Sequence, residues 1–324
     1  MLKYILKRLL LMIPTLFGIT LVTFFIMHLA PGDPVEAMSG GIAGRISREA
    51  HQQFLTAYGL DRPVYVQYWM WLGKVVRLDF GDSFVTGQPV IEVIMEKLPV
   101  TIYLNFVSII VIFMIAIPSG ILSAFHKDKF TDKFFGVFYF ILYSLFAPWV
   151  AIFLLSVFSV QLNIFPLYQI TSDYFHELSF FGKVADVAWH SVLPVIVMSY
   201  GGFAFHSRII RGSVLDVLNQ EYITTARAKG LPEKRVLKKH ALRNALIPLV
   251  TIFGAILPSL IGGSVIIETI FNIDGMGRLF FFSMTSRDWF MIMGLTTISA
   301  ILTLVGILLS DILYAVVDPR IRLD

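Results

Sequence analysis

Leu98–Phe125 reads LPVTIYLNFVSIIVIFMIAIPSGILSAF and contains no Asp, Glu, Lys or Arg. It is longer than the roughly 20 residues that an α-helix needs to cross a bilayer. In hydrocarbon every backbone N–H and C=O must find a partner within the chain, so an open sheet is excluded and a helix is required. Phe134–Val160 and Ala245–Ile267 are equally free of charge. Leu9–Leu29, Trp189–Ile210 and Trp289–Val317 complete a set of six such stretches. The expectation is an all-α integral membrane protein with six transmembrane helices.

Composition agrees: of 324 residues 56% are hydrophobic and only 15% charged, with a mean hydropathy of +0.76. Soluble domains rarely reach such values. The chain has no cysteine, which excludes disulfides, Cys-ligated zinc and thiol catalysis. The net charge of +4 is not spread as a nucleic-acid-binding face would be. Its cations gather in alternate loops: Lys3, Lys7 and Arg8; Lys127, Lys129 and Lys133; Arg208 through Arg243; Arg320 and Arg322. The positive-inside rule places those loops and both termini in the cytosol, which accounts for the charge without nucleic acid.

The first apolar run is too long for a signal-peptide core, and His28 stands where cleavage needs a small residue, so a retained span is expected. Pro14 suits a tilt or kink within it. Residues 31–97 form the main soluble portion and open on Pro31–Gly32–Asp33–Pro34. Ser47 suits the N-cap of a short helix through Tyr58, ended by Gly59. Pro63 suits the start of another, with Tyr65, Tyr68, Trp69, Leu72 and Val76 on one face, lying on the bilayer interface or the bundle. Asp79–Phe80–Gly81 lacks every other kinase signature and reads as a turn. Pro118, Gly120 and Pro148 are expected weak points in the second and third stretches. Gly254, Pro258, Gly262 and Gly263 mark the fifth as closely packed or bent.

Between the fourth and fifth stretches lies Glu221–Tyr222–Ile223–Thr224–Thr225–Ala226–Arg227–Ala228–Lys229–Gly230–Leu231–Pro232. Its small residues suit a helix that presses closely on a partner. Gly230 supplies a C-terminal stop, and Pro232 suits the first turn of the next helix. Lys234–His240 then reads as a basic amphipathic segment. A short, sharply ended helix between membrane spans is a docking element.

This stretch resembles the cytoplasmic coupling loop of ABC-importer permeases, "EAA, three residues, Gly", with Thr224–Thr225–Ala226 where that pattern has Glu-Ala-Ala. Pro31–Gly32–Asp33–Pro34, Tyr58–Gly59–Leu60 and Leu78–Asp79–Phe80–Gly81–Asp82–Ser83 are similar to the N-terminal region of oligopeptide, dipeptide and nickel permeases. Glu268–Phe271, Asp274–Arg278 and Asp311–Arg320 extend the likeness over nearly the whole chain. The resemblance implies the first permease subunit of such a system, a type I ABC importer (MetI-like) bundle with one extra N-terminal helix. Residues 1–97 would be that helix plus an extracytoplasmic segment. Residues 98–317 would be a five-helix core with a coupling loop at 213–243, and 318–324 a cytoplasmic tail.

The resemblance also implies partners: a second homologous permease subunit, two ATPase subunits carrying ATP and magnesium, and an extracytoplasmic binding protein, all at the plasma or inner membrane of a prokaryote. Glu221, Tyr222, Thr225, Ala226, Arg227, Ala228, Lys229 and Gly230 would meet the ATPase, with Ala226 and Ala228 permitting close approach. Glu268, Asp274, Gly275 and Gly277 would form an outer gate or binding-protein contact. Peptides are the expected substrate, with nickel or glutathione as the alternative.

The chain has no G-x-x-x-x-G-K-[ST] loop, so it does not hydrolyse ATP itself. His-Glu-x-x-His and Gly-x-Ser-x-Gly are also absent, and the seven histidines lack ligand spacing, so neither an enzyme nor a metal site is expected. Asp311 lies about 9 Å inside the last apolar run. Its charge there requires a partner or a wet cavity. The expectation is an ion pair with Arg208, Arg211 or Arg243, with an ion-coupling site as the rival. An ion-coupled secondary transporter would need midplane charges and repeated topology, neither of which is visible.

Overall fold

The computed structural model describes residues 2–29, 59–232 and 262–317, together with 49, 52, 53, 55, 56, 236, 242–245 and 257–260. Its principal helices are α1 (Leu2–Leu29), α2 (Val64–Val75), α3 (Val90–Phe125), α4 (Phe130–Ser144), α5 (Ala147–Leu154), α6 (Phe180–Leu218), α7 (Glu221–Ala228), α8 (Val265–Ile270), α9 (Met276–Thr285) and α10 (Trp289–Val317). No strand occurs among the described residues. The expected helices at 47–58 and 234–240 lie largely outside them.

The bundle is built on α3 and α6. Ser191 Oγ donates to the Tyr103 hydroxyl at 3.2 Å, and Ser119 Oγ meets Ser207 Oγ at 3.1 Å; each pair is 88 residues apart. Ser199 Oγ donates to the Ser108 carbonyl between them. A constant offset means that the two helices run in the same direction, in register. Small residues permit the approach. A Cβ on Gly120 would lie 2.7 Å from the Ser207 carbonyl oxygen, and one on Gly202 would lie 2.6 Å from Ile112 Cδ1. Gly120 is therefore a contact point and not the expected weak point, and α3 runs unbroken through both Pro99 and Pro118.

Both helices finish at what we call the basic end, which carries Lys127, Lys129 and Lys133. Leaving α3 there and entering α6 at the other end, the chain must return by about 24 Å, the rise between positions 103 and 119. The third apolar stretch makes this return, but not as one straight helix. α4 and the segment Ala147–Gln161 meet at 92°. Continued helix would drive the Pro148 ring into the Ser144 carbonyl, so Leu145 and Phe146 are extended. The freed Leu145 carbonyl accepts from the Tyr200 hydroxyl of α6 at 2.7 Å. Leu145 and Phe146 are exposed, so this hydrogen bond, rather than burial, satisfies the carbonyl that the break frees. The pair is one broken crossing.

α1 lies against α10. Phe24 packs on Tyr68, Trp71 and Met293, and Thr20 Oγ1 meets the Tyr68 hydroxyl at 3.1 Å. In α2 the buried positions are Tyr68 and Trp71, whereas Tyr65, Trp69 and Val76 are exposed. The expected face is thus rotated by about one residue, because α1 and α10 together select the side that is covered.

Within the fifth stretch, 246–256 and 261 lie outside the described residues. Ala245 packs with Ala124, Ile210 and Val214 near the basic end, while Glu268 bonds Thr101 at the opposite end of α3. The described ends thus stand as far apart as a crossing requires. The chain breaks at a 3-10 turn, Leu257–Leu260, and restarts at α8, whose N-cap Ser264 accepts from the Ile267 N–H. Asn105 Nδ2 donates to the Leu260 and Gly262 carbonyls that the break exposes. The bend expected from Pro258, Gly262 and Gly263 thus falls at the end of the stretch, before Ile267.

Candidate coupling site

α6 continues past the expected limit at Ile210 as one helix to Leu218, and α7 begins after only Asn219 and Gln220. α7 therefore stands directly on the basic end of the bundle's main helix. Ile223 and Ala226 point inward and are buried with Val236, beside Val217, Leu218 and Leu231. Full burial of the Ile223 side chain contributes about 1.5–3 kcal/mol. Glu221, Tyr222, Thr225, Arg227, Ala228, Lys229 and Gly230 are exposed. Ala226 was expected to admit a partner; it instead seats α7 on its own chain, and Ala228 is the alanine of α7 left exposed.

The stop after α7 is a Schellman turn. Gly230 adopts φ +74°, its N–H bonds the Arg227 carbonyl at 2.9 Å, and the Leu231 N–H reaches the Ala226 carbonyl at 3.4 Å. Leu231 then covers Ala226. Glu221 in the first turn and Arg227 in the last both complement the helix dipole.

Near the base of this knob, Asp132 of α4 is clasped from three sides. Arg211 of α6 donates through Nε and a terminal nitrogen, each at 2.6 Å. The Asp128 N–H donates at 3.0 Å, and Ser123 Oγ of α3 adds a further short hydrogen bond. Bidentate Arg–carboxylate pairs fix geometry as well as charge.

Of the expected partners of Asp311, those among the described residues, Arg208 and Arg211, are not the ones that pair with it. Arg8 of α1 pairs with Asp311 at 2.9 Å, and the Tyr4 hydroxyl donates to the same oxygen at 2.9 Å. Arg211 is committed to Asp132, Arg208 is exposed, and the Arg243 side chain lies outside the described residues. Tyr4 and Arg8 sit one turn apart near the start of α1, so the first helix begins where the last one ends.

At the opposite end Glu268 is 1% exposed. Its carboxylate accepts from the Gly277 and Arg278 N–H groups at 2.7 and 3.0 Å, capping α9, and from Thr101 Oγ1 at 3.1 Å. Burial pushes its pKa above the ordinary carboxylate value against the downward pull of those bonds. A Cβ on Gly263, Gly275 or Gly277 would lie 2.7 Å or closer to a neighbouring atom. Glu268, Gly275 and Gly277 are thus interior supports and present no contact surface; only Asp274 is exposed, held by Lys97 at 2.5 Å. Another buried carboxylate, Asp288, caps α10 and accepts from Ser83 Oγ at 2.5 Å. Sequence reading missed it, although an Asp directly before an apolar helix is the usual cap signal. Asp79–Phe80–Gly81 is the turn expected, with Gly81 at φ +81°.

Residues 116–323 match the family described as "Binding-protein-dependent transport system inner membrane component", and residues 1–105 match its N-terminal companion. The chain belongs to this family. It is 46% identical to the oligopeptide transport system permease protein AppB of Bacillus subtilis, across 99% of this chain and 100% of that one. It is 37% identical to the dipeptide transport system permease protein DppB of Lactococcus lactis, across the full length of both. The DppB of Escherichia coli K12 is 36% identical across 99% of each.

As an inner-membrane permease component of an ABC importer, the chain is a multi-pass transport subunit and not an enzyme. Its helices form the membrane part, and α7 is the exposed, rigidly ended element at the basic end.

Proposed function

We propose that this permease imports peptides, with the basic end in the cytosol and α7 seated in a groove of a separate ATPase. The observation that carries the reading is α7 itself: exposed on one face, closed by a Schellman turn, and mounted on the helix that runs the length of the bundle. Nucleotide-driven closure of the ATPases would move α7 and rock the bundle between two access states, a rigid-body transition. Glu221, Tyr222, Thr225, Arg227, Lys229 and Gly230 supply the polar rim of the contact, and Ala228 its close approach.

The peptide substrate rests on the names of the full-length relatives. Two ATPases, a second permease subunit and an extracytoplasmic binding protein complete the assembly, the last docking beside Asp274. The division into an N-terminal part and a five-span core is retained, with its boundary inside α3.

The test is purification from the native membrane followed by reconstitution. An ATPase should accompany the wild-type chain and drive peptide uptake, and Ala228→Arg should weaken its retention. Unchanged ATPase retention by Ala228→Arg would overturn the docking assignment, and uphill uptake by the chain alone under an ion gradient would overturn the ATP-driven reading.

A further inference from the structure

α7 can transmit motion only if the helix beneath it does not slide against its neighbours. The α3–α6 seam joins apolar side chains, such as Leu104 and Phe113 with Leu193, Val197 and Ile210, to a few serine hydroxyls, contacts that are non-directional or weak and fix no rotation. The fork of Arg211 on Asp132 differs in kind. It lies about two turns before the end of α6, between that helix and the first turn of α4. Ser123 of α3 and the Asp128 N–H of the connecting loop bind the same carboxylate. Asp132 is only 9% exposed and Arg211 32%. Both oxygens of this carboxylate thus accept two hydrogen bonds each, from the end of α3, the loop after it and α6.

Resting on the reading of α7 above, we propose that the Asp132–Arg211 pair is the positioning joint of coupling. It makes α3, α4 and α6 follow α7 as one body, so that work delivered by the ATPase reaches the far end of the bundle. Without it α6 can shift alone, and nucleotide is hydrolysed without a full change of access. The fork matters because a point charge would hold α6 near α4 without fixing its rotation.

The assembled transporter in proteoliposomes provides the test, with peptide uptake and ATP hydrolysis measured together. Arg211→Gln and Asp132→Asn should lower uptake per ATP hydrolysed by about tenfold, within the usual range of coupling between sites. Arg211→Lys should fall between these and wild type. A merely structural pair would lower assembly and both activities together, leaving their ratio unchanged.

A second measurement stands apart from activity. The chain has no cysteine, so Lys133→Cys and Arg208→Cys, both at exposed sites, can carry spin labels on α4 and α6. Their separation should be the same with and without trapped nucleotide in wild type, and should change on nucleotide binding in Asp132→Asn. An unaltered uptake-to-hydrolysis ratio in Asp132→Asn, or a fixed label distance there, overturns the proposal. Failure of the α7 reading shows separately, as full ATPase retention by Ala228→Arg, and would take the proposal with it.

Discussion

Asp311 meets Arg8 at 2.9 Å, joining the end of the last helix to the start of the first. The contact closes α1 onto α10, and the Tyr4 hydroxyl donates to the same carboxylate oxygen. An acid near the end of a membrane helix is tolerated when such a partner is at hand. The pair is partly exposed, so its contribution is modest, about 1 kcal/mol. A double-mutant cycle on thermal unfolding should show coupling of that order between Asp311→Asn and Arg8→Gln. Asp311→Asn combined with Arg211→Gln should be additive, and strong coupling there would contradict the pairing.

Gly120 lets α3 approach the α6 backbone at the Ser207 carbonyl. Gly120→Val should destabilise the protein by about 1–3 kcal/mol, because the blocking atom is a carbonyl oxygen that cannot rotate aside. Gly212→Ala, which meets no atom within 4 Å, is the control and should be neutral or slightly stabilising. Thermal unfolding in detergent compares the two.

Glu268 makes stability depend on pH in a defined direction. Burial raises its folded pKa, so the folded chain binds the proton more tightly than the unfolded one. The contribution is complete below the ordinary carboxylate value near ~4.3. It is lost as pH rises through the higher folded value. Unfolding midpoints of wild type minus those of Glu268→Gln should therefore fall as pH rises through that window. A difference that grew with pH would mean that the hydrogen bonds outweigh burial. Glu268→Ala leaves the Gly277 and Arg278 N–H groups and the Thr101 hydroxyl without their acceptor, each costing about 1–3 kcal/mol.

Gly230 holds φ +74° in open space, so a larger residue there is penalised by backbone conformation alone. Gly230→Val should cost about 1–2 kcal/mol, borne by the α7 turn. Amide exchange over 221–231 should accelerate, while exchange in α3 stays as it was. Gly230→Asn, better suited to the left-handed region, should lie close to wild type.

Periodicity and charge by themselves determined that the chain crosses the membrane as helices, which loops share a side, and where the knob at 221–230 stops. These properties follow from local chemistry: hydrocarbon demands internally bonded backbone, and a glycine at a helix end needs no distant contact to turn left-handed. Tertiary structure decided which groups meet. Arg8 rather than Arg211 reaches Asp311, since α1 packs on α10 while α4 claims the α6 arginine. Ala226 faces inward because Val236 returns beneath α7. Glu268, Gly275 and Gly277 are supports because α9 begins against α3. The 92° bend had a local cause in Pro148, yet the carbonyl it strands is satisfied from far along the chain, by a hydrogen bond that the Tyr200 hydroxyl donates. Contacts between elements distant in sequence carry no short-range signature, so burial and pairing had to come from the packed bundle.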